Sequence, residues 1–231
     1  MISTLPLKNI LFIDLETVPE HENWNELSDR TKKLWEVKTQ FQRKEEISAE
    51  EYYYDRAGIL SEFGKIICLS CGLITDDNKI KIKSFYGSNE KNILNSFNEM
   101  LKAKYFKSTL LLCAHNGKEF DFPFIARRML IHQIKLPNIL KIQGKKPWEI
   151  PHLDTMELWK FGDYKHYTSL DLLAHIFNLP SPKNEMDGSE VSNVFYKEKN
   201  IDKIKNYCEN DVVTLINIFR KMRYETPLNR E

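Results

Sequence analysis

An α/β chain built on a sheet of mixed strand direction is what this sequence predicts, and three observations predict it. An apolar run, NILFIDLETV, occupies residues 9–18. Two more strand-like runs, Lys65–Ile74 and Ile80–Tyr86, are joined by the turn-forming TDDNK and read as a hairpin. From there helical and strand-like segments alternate as far as a long helix near the end of the chain.

Each element has its own justification. The first run is rich in Ile, Leu, Phe and Val and stops near Pro19, as a central strand does. Residues 24–60 are charged, contain Trp35, Phe41 and the tyrosines Tyr52–Tyr54, and space their apolar positions helically, which predicts a helical insertion after the first strand. Asn89–Lys104 has helical periodicity with Ser88 as its cap. Thr109–Ala114 reads as a buried strand followed by the turn HNG, and a helix starts around Pro123, where a missing N–H is tolerated in the first turn. Lys135–Trp148 is expected to be loop with a short strand, His152–Asp154 a strand end, Leu170–Phe177 a helix and Pro180–Ser189 a loop. Asn200–Met222 carries an apolar stripe over Ile204, Tyr207, Cys208, Val212, Leu215 and Phe219, the mark of a long amphipathic helix.

The 231 residues, 42% of them hydrophobic, suffice for a sizeable core, and a single domain over 1–231 is expected. A formal net charge of +1 excludes a globally basic coat but not a local basic patch. The cysteines Cys68, Cys71, Cys113 and Cys208 are too sparse for a disulfide framework. Strand alternation would send Cys68 and Cys71 to opposite faces, so they read as core residues. The apolar stretch Ile10–Ile13 is too short for a signal or membrane segment, and the chain is expected to be cytoplasmic, without membrane contact.

Chemistry resides in carboxylates spread along the chain. Asp14 and Glu16 are two apart on the first strand and share parity with Phe12, so they project where apolar residues belong. Buried there, they need a cation or another partner. Asp121, in HNGKEFDFPFIARR, follows a strand and turn, at the strand end where open sheets place ligands; it suits a helix cap, a ligand, or both. Tyr207 and Asp211 are four apart on one face of the last helix.

An acidic D-x-E, an N-G-x-x-F-D before a helix and a Y-x-x-x-D on the final helix resemble, in order and spacing, the three motifs of the DnaQ-like 3′–5′ exonuclease superfamily, DEDDy branch. The wording around Asp121 is most similar to the proofreading exonuclease domain of family B DNA polymerases. The resemblance implies a ribonuclease H-like fold and two divalent ions, Mg²⁺ or Mn²⁺, on Asp14, Glu16, Asp121 and Asp211, serving two-metal hydrolysis. It implies that Tyr207 orients the attacking water, and that Leu15, Thr17, Asn116 and Phe120 hold the terminal nucleotide. The partner is then a single-stranded 3′ end, DNA in preference to RNA. With no room for polymerase palm and fingers in 231 residues, proofreading would be in trans, beside a replication or repair complex.

Two other functions fit the same fold: a non-catalytic nucleic-acid-binding module, against which the intact acidic set argues, and an exoribonuclease. Asp154 is expected to be structural, and Asp187 with Gly188 to make a turn in MDGSEV, a loop resembling one of this exonuclease branch. His115, His152, His166 and His175 are scattered, and the stretch before Asp211 has no histidine to replace Tyr207. Lys141, Lys145 and Lys146 with Trp148 form a basic, aromatic-flanked loop of a kind that can contact a phosphate backbone, but it is expected to be solvated surface.

Overall fold

In the computed structural model, residues 2–102, 109–163, 167–181 and 186–230 are described. The apolar runs become one five-stranded sheet of order β3-β2-β1-β4-β5. The strands are β1 (Ile10–Pro19), β2 (Gly64–Ile74), β3 (Ile80–Tyr86), β4 (Leu111–Ala114) and β5 (Leu153–Asp154). β2 lies antiparallel to both β1 and β3, and β4 parallel to β1 and β5, giving the mixed sheet of the ribonuclease H-like fold.

β1 is covered on both faces. Leu11, Ile13 and Leu15 pack with Leu94 and Phe97 of α3 (Glu90–Leu101) and with Phe122 and Ile125 of α4 (Asp121–Ile131). Ile10 and Phe12 meet the long last helix α8 (Ile201–Met222), where the rings of Phe12 and Phe219 stand edge to face 5.5 Å apart. Gly72 lets α8 lie close to β2, since a Cβ there would sit 2.6 Å from Val212 Cγ1. Asn200 caps α8 by accepting from the Lys203 N–H.

The stretch between β1 and β2 is helical, as the spacing predicts. It forms α1 (Asp29–Thr39) and α2 (Ala49–Arg56), started by Ser28 and by a Ser48–Glu51 capping box. Trp35, fully buried, packs against Tyr53 and Phe63 and donates from Nε1 to the Ala49 carbonyl. The Tyr53 hydroxyl bonds the His21 carbonyl, fastening the insertion just beyond the end of β1.

Several expectations need correction. Asn89, not Ser88, caps α3, which ends at Leu101; residues 103 and 104 lie outside the described ones. β4 starts at Leu111 and α4 at Asp121, so Pro123 occupies the third helical position. No strand forms among the described residues of 135–148; Pro137 and Pro147, which lack an N–H, begin or precede short 3₁₀ turns instead. The helices α5 (Thr155–Lys160), α6 (Leu170–Ile176) and α7 (Val191–Asn193, continued by a π turn over Val194–Glu198) complete the fold. Of these only α6 is evident from periodicity. His166 and residues 182–185 of the expected loop are outside the described residues.

Candidate active site

The site lies where β1, β4 and α8 meet. Glu16 pairs with Cys68 in the β1–β2 ladder, and a bulge follows it, between Glu16 and Thr17. The parity argument holds: Asp14 and Glu16 lie on the face covered by α8, among Phe12, Val18, Cys208 and Tyr207. Glu16 is 7% exposed and Asp14 somewhat more, and Asp14 Oδ2 is buried without a hydrogen-bond partner.

The other two acids reach the same place from different elements. Burial first, then the charges of Asp211 and Asp121, push the Asp14 carboxyl well above the usual carboxylate range. Burial and then Asp14 and Asp211 do the same to Glu16. Asp121, buried, is pushed up to about 8, by desolvation above all and by Asp154. Tyr207 points from α8 at this cluster and shares a hydrogen bond with Asp211; its hydroxyl is held protonated by burial and by Asp211, Glu16 and Asp14. Asp211 and Asp121 raise the proton affinity of Asp14, and Asp14, Asp211 and Asp121 raise that of Glu16; hard divalent cations fit such oxygens. The unpartnered Asp14 oxygen fits the same group.

Asp121 is the first residue of α4, whose N-cap is Phe120 with no capping side chain, so the capping reading of Asp121 is corrected and the carboxylate is left for the cluster. The turn before it is built by Asp154. Its carboxylate accepts from the Asn116 N–H (3.0 Å) and the Lys118 N–H (3.1 Å) while capping α5 through Met156 (2.9 Å). Asn116 has φ of 62°, a left-handed conformation that asparagine tolerates, and its Oδ1 is buried without a partner. Gly117 admits no side chain, because a Cβ would lie 2.3 Å from that of Ala114. Phe120, half-buried, leans on Phe124 at 5.3 Å.

The expected nucleotide contacts divide. Leu15, 6% exposed, turns its side chain into the core under α3 and α4, leaving only its backbone for the site; Thr17 shares its parity and is half-buried. His115 is engaged by Thr155 and the Thr168 carbonyl and takes no part in the cluster. Asp187 makes the expected turn, capping Gly188–Glu190, and that turn brings Gly188 over Tyr207: a Cβ there would sit 3.7 Å from the tyrosine hydroxyl.

One neighbour escaped sequence reasoning. Cys208 Sγ donates to the Asp14 carbonyl at 3.4 Å, and one ligand atom each of Cys208, Asp14 and Glu16 lie within 4.8 Å of one another. Cys208 sits beside Tyr207 and three residues before Asp211, a spacing that would have pointed to it had its apolar-stripe position not made it a core residue.

A buried sheet bearing convergent carboxylates at the β1 and β4 ends defines a nuclease-like class, and comparison with known proteins narrows it. Residues 59–229 match the family described as predicted 3′–5′ exonuclease related to the exonuclease domain of PolB, and the chain belongs to that family. The matched segment contains Asp121, Tyr207 and Asp211 but starts after β1, Asp14 and Glu16. The solved structure of the family B DNA polymerase from the hyperthermophilic archaeon Pyrobaculum calidifontis has the same fold, with a TM-score of 0.56 and 12% identity. The match covers 92% of this chain, which spans only 24% of that polymerase. No curated protein matches the chain in sequence. Among the described residues no helix is long and apolar enough to cross a membrane.

Proposed function

We propose that the chain is a metal-dependent 3′–5′ exonuclease that removes nucleotides from single-stranded 3′ ends, of DNA in preference to RNA. The observation that carries this reading is the gathering of Asp14, Glu16, Asp121 and Asp211, with the Asp14 and Glu16 carboxyls pushed up by burial and by their acidic neighbours and one Asp14 oxygen left unpartnered. A binding module has no use for so repulsive a cluster.

Asp14, Glu16, Asp121 and Asp211 would hold two divalent cations, Mg²⁺ or Mn²⁺. When bound, such ions supply Lewis-acid stabilisation of the charge developing on the phosphate and make water a better nucleophile. Tyr207, kept protonated by burial and by its acidic neighbours, serves as a donor and positions water through its hydroxyl. The unpartnered Asn116 amide oxygen, Thr17 and the Leu15 backbone hold the terminal nucleotide, and Phe120 offers a ring for a base.

The test is degradation of 5′-labelled single-stranded DNA and RNA by wild type and Asp14→Ala, with Mg²⁺ or Mn²⁺. Stepwise shortening from the 3′ end, faster for DNA and lost in the variant, is expected. Folded, metal-supplemented wild type that shortens neither polymer would remove the enzymatic reading; faster loss of RNA would change the polymer.

A further inference from the structure

We infer that the chain carries a second nucleotide-binding site, at the opposite end of the sheet from the carboxylates. A cavity of about 760 Å³ lies between the end of α3, the start of β4 and the loop over 135–152. That volume is typical of small-molecule sites, roughly 300–1,000 Å³, and far exceeds a bare phosphate. Lys102, Lys135, Lys141 and Lys145 line it, and no carboxylate does among the described residues. Only Lys102 of these has a carboxylate partner, Glu99, at 2.6 Å on the surface. Between the lysines, Leu101, Leu110 and Ile139 supply an aliphatic wall.

Asn98, 6% exposed, also lines the cavity. Its Nδ2 donates to the Lys135 carbonyl at 3.3 Å, which fixes the amide orientation and leaves Oδ1 buried without a partner. An aliphatic wall on which a base can lie and a rim of point charges together match a base joined to a phosphate.

The cavity is not an extension of the catalytic cluster. Leu110 immediately precedes β4, and the pairing of Ile10 with Leu111 places Asp14 five residues further along the sheet, roughly 16 Å at 3.3 Å per residue. The loop expected as solvated surface is exposed at Lys141, Lys145, Lys146 and Trp148, and two of these, Lys141 and Lys145, line the cavity. The source of the nucleotide, a released nucleoside 5′-phosphate or a unit of a bound strand, rests on the exonuclease reading; the site itself does not.

The test is calorimetric titration of adenosine 5′-monophosphate into the full chain in EDTA, where turnover is absent and loss of nuclease activity could not mimic loss of binding. Saturable binding is expected, weakened at least tenfold in Lys141→Glu/Lys145→Glu. It should be unchanged in Lys33→Glu/Lys44→Glu, which makes the same charge change on the inserted segment. Competition by a dA10 oligonucleotide would assign the site to a strand, and its absence to the free nucleotide; both uphold the proposal. Equal competition by inorganic phosphate would reduce the cavity to a counter-ion patch, and displacement by hexaglutamate as effective as by nucleotide would make it an acidic-peptide site. Either overturns the proposal, as does wild-type affinity in the double lysine variant.

Discussion

Two carboxylate centres are buried on opposite faces of this sheet, and they are solved in opposite ways. On the α3–α4 face, Glu90 is 5% exposed and fully met: it accepts from the Ile66 N–H at 2.7 Å, from Arg128 at 2.5–3.0 Å and from His132 Nε2 at 2.6 Å. Arg128 spends its remaining donors on the Ser61 carbonyl and Glu20. On the α8 face, the Asp14 and Glu16 carboxyls are pushed up by burial and by Asp211 and Asp121, and Asp14 Oδ2 is left without a partner. The first centre joins α3, α4 and the insertion, and is complete within the chain. On the proposed reading the second is completed from outside by divalent cations, which would separate a structural ion network from a site prepared for ligands.

Substitutions should therefore act oppositely at the two centres. The largest effect is expected from Asp14→Ala or Asp121→Asn, each lowering exonuclease turnover by at least about 10³-fold, some 4 kcal/mol in the barrier, with a native circular dichroism spectrum. Activity within tenfold of wild type would break the contrast at once. Next, Arg128→Met should cost about 3–5 kcal/mol in urea unfolding, because it strands Glu90 without its partner. A loss below 1 kcal/mol would show that the network is not structural.

Stability without metal should depend on pH in a stated direction. A carboxyl whose pKa is raised on folding destabilises the fold once ionised. The contribution is therefore absent below the unfolded values near 4 and grows as pH rises through the folded one, about 8 for Asp121. Melting in EDTA should fall between pH 5 and 9, and saturating Mn²⁺ at 100 times its Kd should restore about 2.7 kcal/mol. A flat EDTA profile would argue that the cluster is not self-repelling.

Tyr207→Phe should slow turnover by about 10- to 100-fold, within the range of a positioned proton donor, while Mn²⁺-induced stabilisation persists. Smallest is a gain: Asp14→Asn should make the metal-free protein about 1–2 kcal/mol more stable at pH 8, measured by urea unfolding. A loss there would place Asp14 with Glu90 as a structural acid.

How much of this was legible follows from the range of each interaction. Asp14 and Glu16 were legible because strand alternation is a local rule, and one parity put them beside Phe12 on a covered face. Helical spacing put Tyr207 and Asp211 on one face, but only their place in the three-motif resemblance marked them as site residues. The cap of α3 was misplaced by one residue, since Ser88 and Asn89 are both good caps and only the backbone path chooses between them. Asp121 was ambiguous for a related reason: a helix that starts at Asp121 instead of after it makes Asp121 its first residue and not its cap.

By itself, the sequence settled the alternating elements, the face on which the first two acids lie and the helix face of the last pair, all properties of spacing along one segment. Only the tertiary structure decided which groups complete one another across segments. It set Asp154 under the Asn116 turn, the Cys208 thiol against the Asp14 carbonyl, Gly188 over the Tyr207 hydroxyl and Arg128 against Glu90. Those contacts join residues tens to nearly two hundred positions apart, and local periodicity carries no information about partners at that range.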